Sequence, residues 1–236
     1  MQEVFTLEEL SKLLENAPQK LRKAITQGKI ASNRVKGELV FSLADVVLWL
    51  ENELNRANEQ DIKALESAMG RVTEAAEEEP LFEELLSPSL VTPLLQAKTK
   101  SSVLREMTKL AENSGMLWDA KAMEQKLKDR EELASTATKE GIAILHPQRP
   151  QPNIIAGDFL AVGKMHSGIP FGGDHGVLTD VFFLLCCQTH ENYLRRLSRL
   201  ARIVKTPEFL PMLRELDDAE SIVDLLKKTN ETLDVE

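Results

Sequence analysis

His146 stands directly after a short apolar run, Ile142-Ala143-Ile144-Leu145, and directly before Pro147. A run of that length and composition reads as a buried strand. The imidazole is therefore expected at a strand's C-terminal end, the rim where ligands gather in open sheets. A second histidine, His190, opens a helical stretch just after another apolar run, Val181 to Cys186. If those two strands are close in the sheet, both imidazoles meet at one rim. A neutral imidazole titrates near pH 7 and is a good nucleophile, so the chemistry open to the pair is nucleophilic or acid–base. Cys186 and Cys187 are adjacent, which disfavours a bridge between them, and they read as small polarizable side chains of a buried strand. Neither a zinc site nor a Cys-His hydrolase has its ligand spacing here, so no metal and no cofactor is expected.

The elements that must position these residues fill residues 85–236. Val103, Leu104, Met107, Leu110 and Ala111 mark one apolar side of a helix from Lys100 to Ser114, and a second helix is expected from Asp119 to Glu132. Strands are expected at Ile142 to Leu145, Phe159 to Val162 and Val181 to Cys186, and closing helices at His190 to Val204, Pro207 to Leu213 and Ala219 to Lys228. Helices on both sides of a central mixed sheet give an α/β (α+β) sandwich.

Ahead of it, residues 1–54 read as a small separate unit. Thr6 and Glu9 form a capping box before Leu10, Leu13 and Leu14. Pro18 suits the start of a second helix carrying Leu21, Ala24 and Ile25, which Gly28 ends. Lys36-Gly37 joins two strand-like segments, Ile30 to Val35 and Glu38 to Phe41, and Ser42 to Leu54 returns to helix. Helix, turn, helix, wing, helix is the order of winged DNA-binding modules. The stretch FTLEELSKLLENAPQKLRKAITQGKIASNRVKGELVFSLADVVLWL resembles the excisionase-type, MerR-like helix-turn-helix. That resemblance implies a second helix in the major groove and Lys36 on the backbone, with Gln19, Lys20, Arg22 and Lys23 able to reach double-stranded DNA. Residues 55–84 read as an acidic helical linker. Within it Ile62, Leu65, Met69, Val72 and Ala76 form a short coiled-coil seam that suits either a homodimer or packing on a domain surface.

From Arg130 the chain runs R-E-E-L-A-S-T-A-T-K-E-G-I-A-I-L-H, and later H-S-G-I-P-F-G-G-D-H-G, then F-F-L-L-C-C-Q-T-H-E-N-Y-L-R-R-L-S-R-L-A-R. These motifs, in this order, resemble the IIA domain of the fructose, mannitol and nitrogen-regulatory class of the bacterial phosphotransferase system. In that family a strand of pattern G-[IV]-A-[IV]-P-H presents the histidine that accepts a phosphoryl group from a phosphocarrier protein. The resemblance implies that His146 is the acceptor, Arg130 the active-site arginine and His190 the second histidine, with Ser135 and Thr136 as hydroxyl donors to the phosphoryl group. Leu145 replaces the family's proline and Pro147 its following glycine; HPQRPQP looks like a variant found in helix-turn-helix fusions. His175 has no family counterpart, and His166 is expected at the surface.

The 236 residues are 42% hydrophobic, 28% charged and only 5% aromatic, so the core must be mostly aliphatic. No apolar stretch approaches the ~18 residues of a membrane span, and the start lacks the pattern of a signal peptide, so a cytoplasmic protein is expected. The net charge of −9 hides an asymmetry: Pro18 to Gly37 holds six basic residues and no acidic one. A local basic face on an acidic protein suits a regulator touching phosphates with one side. The expectation is a phosphorylation-responsive transcriptional regulator. Its rivals are a transport intermediate that passes the phosphoryl group to a IIB domain and a IIA-like sensor that is never phosphorylated.

Overall fold

The computed structural model describes residues 4–13, 23–42, 45–46, 48–49, 82–173 and 176–235. The chain divides into two compact units, Met1–Glu79 and Pro80–Glu236.

In the first unit, strand β1 (Val4–Thr6) leads into helix α1 (Leu7–Leu13), and β2 (Asn33–Val35) and β3 (Glu38–Ser42) form a hairpin. The capping box is present: the Glu9 carboxylate accepts from Thr6 N–H at 2.8 Å, and Thr6 Oγ1 accepts from Glu9 N–H at 3.2 Å. Lys36 and Gly37 take positive φ, 52° and 90°, the geometry of a two-residue hairpin turn whose twist matches the flanking strands. The sheet has the order β1-β3-β2, all antiparallel. β1 was not anticipated, because three residues beside a helix cap carry no alternating pattern of their own. Residues 23–26 are helical and Gly28 leaves that turn at φ 65°. Phe5, Leu10, Ala24, Ile30, Phe41, Val46 and Trp49 are buried. The coiled-coil seam from Ile62 to Ala76 lies outside the described residues.

The second unit begins with two short 3-10 turns, Phe82–Leu85 and Pro88–Leu90, and strand β4 (Val91–Thr92). Then come α2 (Lys100–Asn113), α3 (Ala120–Leu133), β5 (Ile142–Leu145), β6 (Phe159–Ile169), β7 (Thr179–Cys186), α4 (His190–Lys205), α5 (Phe209–Glu215) and α6 (Ala219–Val235). The sheet order is β4-β6-β7-β5, with β5 parallel to β7, β4 parallel to β6, and β6 antiparallel to β7. This is the mixed sheet flanked by helices that the apolar runs implied.

Strand alternation divides the sheet's residues between two faces. Ala143, Leu145, Phe159, Ala161, Phe182, Leu184 and Cys186 share a core with Val103, Leu104 and Met107 of α2 and Met123 and Leu127 of α3. The alternate residues Ile142, Ile144, Leu160, Val162, Val181, Phe183 and Leu185 are also buried, on the face that α4 meets through β7. β6 continues well past the expected Val162. Gly163-Lys164 interrupts the apolar run, but the buried Lys164 ammonium donates to the carbonyls of Arg214, at 2.8 Å, and Leu216 at the end of α5. A lysine satisfied in this way stays inside the sheet.

At the start of β5, Gly141 has φ 80°, and a Cβ there would stand 3.0 Å from Leu178 O and 3.1 Å from Arg214 Nη2. Positive φ and close approach together require glycine at the entry to the strand that carries His146.

Candidate functional site

β5 ends at Leu145, and the next residue, His146, is only 4% exposed. Its Nδ1 lies 3.0 Å from Ile144 O. Its Nε2 lies 3.0 Å from Nε of Arg130, on the last turn of α3. A carbonyl can only accept and a guanidinium only donate. The two bonds therefore assign the tautomer: Nδ1 carries the proton, and Nε2 presents its lone pair to Arg130. Arg130, itself 2% exposed, is held by a second bond, Nη1 donating to Ala134 O at 2.8 Å. The arginine and the imidazole stand sixteen positions apart in sequence and meet at the end of the strand.

Tyr193 also lies against His146. Its ring centroid is 5.0 Å from that of the imidazole, at an interplanar angle of 36°. Tyr193 is buried on the first turn of α4. The seat of that helix explains its placement: Asp158, just ahead of β6, accepts from Gln188 N–H at 2.7 Å and Asn192 Nδ2 at 2.8 Å, and pairs with the buried Arg196 at 3.2 Å. Thr189 caps the helix by accepting from Asn192 N–H. His190 is the first residue of α4, half-buried, one turn before Tyr193. Sequence reading took the histidine of this turn and passed over the tyrosine. The available signals were the three-residue spacing, which places both on neighbouring positions of one helix face, and the fact that Tyr193 is the chain's single tyrosine. An aromatic pair contributes about 0.5–1.5 kcal/mol beyond area burial. Tyr193→Leu is expected to destabilise the second unit by at least about 0.5–1.5 kcal/mol while leaving the far-ultraviolet circular dichroism unchanged; denaturant titration checks it.

The two expected hydroxyl donors lie in the loop between α3 and β5. Thr136 is buried and sends both its N–H, at 3.0 Å, and its hydroxyl to Oε1 of Glu131. Ser135 Oγ donates to Phe171 O at 3.4 Å and accepts from Ala137 N–H at 3.2 Å. Both hydroxyl protons are thus engaged in bracing the loop. Cys186 and Cys187 are free thiols, buried, and burial followed by the Asp158 charge pushes both well above the ordinary thiol range. Thiols held neutral in this way are inert. His166 is exposed on β6, and His175 lies outside the described residues. Among the expected DNA contacts, Lys23 and Lys36 are exposed; Gln19, Lys20 and Arg22 lie outside the described residues. Among the described residues no helix is long and apolar enough to cross a membrane.

Comparison with known proteins shows the family and the fold. The sequence pattern of the family described as "Phosphoenolpyruvate-dependent sugar phosphotransferase system, EIIA 2" matches residues 84–229, well over half of the chain. The chain belongs to this family. As an EIIA-2 protein it is 30% identical over 146 residues to a nitrogen regulatory protein of Bradyrhizobium diazoefficiens, covering 61% of this chain and 92% of that one. It is 26% identical over 147 residues to the fructose-specific EIIABC component of the phosphotransferase system of Bacillus subtilis, covering 61% of this chain but only 23% of that longer protein. The EIIA-2 fold recurs in the nitrogen regulatory protein IIA-Ntr of Neisseria meningitidis, with a TM-score of 0.56 at 22% identity over 62% of this chain and 99% of that one. It recurs also in IIA mannitol of Escherichia coli, with a TM-score of 0.53 at 17% identity over 60% of this chain and 98% of that one.

Proposed function

We propose that the EIIA-2 unit accepts a phosphoryl group on Nε2 of His146 from the phosphohistidine of a phosphocarrier protein, and that a winged helix-turn-helix in residues 1–54 carries this state to DNA. The observation that carries the first half is the pair of bonds on the imidazole. Nδ1–H is anchored on Ile144 O, so a single lone pair, on Nε2, faces the guanidinium. In the transfer the donor's P–N bond breaks and a P–Nε2 bond forms. The donor imidazole leaves with the electron pair of the broken bond, and nothing is oxidised or reduced. Positive charge developing on the His146 ring is shared through Nδ1–H with Ile144 O. Arg130 vacates the lone pair and turns its N–H fork onto the equatorial phosphoryl oxygens, where alignment and positive charge are what the reaction needs. His190 stands at the start of the helix that carries Tyr193, and we assign it to the rim that meets the incoming group.

The second half is supported by the β2–β3 hairpin. All three β2 residues are exposed, Arg34 among them, and the turn presents Lys36. Those cations, with Lys23, are placed to neutralise DNA phosphates, which position a protein without reading sequence. The charge that phosphorylation adds near neutral pH would then alter domain packing or partner binding and so DNA occupancy. The linker seam, if it pairs, supplies the two-fold that palindromic half-sites require.

The test is to incubate the protein with phosphoenolpyruvate, enzyme I and the phosphocarrier, and to measure intact mass. The expected result is an acid-labile gain of one phosphoryl group in the wild type and none in His146→Ala. Salt-sensitive DNA retention that is lost in an Arg22→Ala/Lys23→Ala variant supports the regulator, and its absence favours a transport intermediate serving a IIB domain. The second reading, a sensor that works by protein contact alone, is favoured by the 4% exposure of His146. It predicts no mass gain under any condition.

A further inference from the structure

We infer that Glu131 is the positioning residue of this site: it fixes the loop against which Arg130 is aimed at His146. The inference rests on the phosphoryl-acceptor reading above. Glu131 follows Arg130 in sequence, and its side chain is 3% exposed. A carboxylate buried to that degree is costly unless charge and hydrogen bonds compensate it. Three segments converge on it. Oε1 accepts from the backbone and the hydroxyl of Thr136, in the loop after α3. Oε2 lies 2.7 Å from the ammonium of Lys100, the first residue of α2. That ammonium lies off the direction of a hydrogen bond to Oε2, so this side is held by charge alone. Lys100 in turn sits 5.0 Å above the ring of Phe171, whose carbonyl accepts from Ser135.

The consequence reaches the site through Ala134. Its carbonyl takes Nη1 of Arg130, and it stands two residues from Thr136, so the loop that Glu131 holds is the loop that orients the guanidinium. Glu131 itself makes no contact with the imidazole in this network; it acts through Arg130. Glutamine at position 131 keeps an acceptor for Thr136 but removes the charge that draws Lys100. Misplacing a catalytic group by about 1 Å costs on the order of 10²-fold, and a loosened loop costs some part of that.

The test is a double-mutant cycle on the full chain, read in two ways. The first readout is the single-turnover rate of phosphorylation by the phosphorylated carrier for wild type, Glu131→Gln, Arg130→Ala and the double variant. Glu131→Gln is expected to slow the wild type by about tenfold and to add nothing in the Arg130→Ala background. The second readout needs no phosphorylation: in ¹⁵N NMR the Arg130 Nε–H, hydrogen-bonded to His146, is expected to exchange slowly with solvent in the wild type and fast in Glu131→Gln. Lys100→Met supplies an independent variant should Glu131→Gln fold poorly, and the same loss of Nε–H protection is expected. Equal slowing by Glu131→Gln in both backgrounds, or an Nε–H that stays protected in the folded variants, overturns the inference. If the wild type takes no phosphoryl group, the functional reading falls and the NMR result alone decides the role of Glu131.

Discussion

Arg130→Ala is expected to slow phosphoryl acceptance by His146 about 10²- to 10³-fold, the loss of roughly 2.7–4 kcal/mol found when one preorganised donor is taken from a developing anion. The expectation follows from burial and geometry. The guanidinium is 2% exposed and already bonded at Nη1 to Ala134 O and at Nε to Nε2 of His146. It therefore already stands beside the acceptor, and has only to turn its N–H fork from Nε2 onto the arriving phosphoryl oxygens while Ala134 O holds Nη1. Arg130→Lys is the informative companion. Lysine keeps the charge but has no planar fork, so it cannot hold Ala134 O and two phosphoryl oxygens together. Lysine should recover only part of the rate. Rapid-quench measurement with the phosphorylated carrier in excess reads both. Recovery to the wild-type rate with lysine would mean that the site uses only a point charge.

The second large effect is on stability. Phe182→Ala is expected to destabilise the EIIA-2 unit by about 3–5 kcal/mol and to lower its melting temperature by on the order of 10 °C. Phe182 is fully buried at the middle of β7, directly beside Ala143 of β5, with its ring centroid 5.2 Å from that of Phe171. Its removal leaves a cavity between the sheet and helices α2 and α3, which the paired strands cannot collapse to fill. Because the chain holds two compact units, the transition of the second unit alone should move. Calorimetry or denaturant titration followed by a probe in each unit separates the two. A loss below about 1 kcal/mol would mean that the core repacks around the gap, which is unlike most large-to-small changes in a dense interior.

Much of this architecture was legible in the sequence because the apolar pattern is strong where the elements are long. The helices at Lys100–Asn113 and Ala120–Leu133 begin where Thr99 and Asp119 cap them, and both starts were visible in the residue pattern. The strands around His146 and before His190 were visible as apolar runs. β4 was not, since a two-residue strand at a sheet edge has no period to detect, and neither was the far half of β6 beyond Lys164. At the site, the place of His146 at a strand end was legible from the apolar run before it, whereas its reading as a phosphoryl acceptor came from the family motif. Arg130 came from its motif alone, because a contact across sixteen residues of helix, loop and strand leaves no periodic trace. Tyr193 escaped for a different reason. Reasoning from reactive side chains favours a histidine, whereas the fold needed a ring that packs on the imidazole. The hydroxyls of Ser135 and Thr136 were legible as polar groups near the site, but their commitment to Phe171 O and Glu131 depends on loop geometry.

The most direct measurement is to locate the phosphoryl group by ¹⁵N–³¹P correlated NMR on the uniformly labelled full chain after treatment with phosphoenolpyruvate, enzyme I and the phosphocarrier. The account predicts a single phosphorus coupled to Nε2 of His146, with Nδ1 still protonated and bonded to Ile144 O. Phosphorus on Nδ1, on His190 or His166, or on no histidine of a folded protein would contradict it.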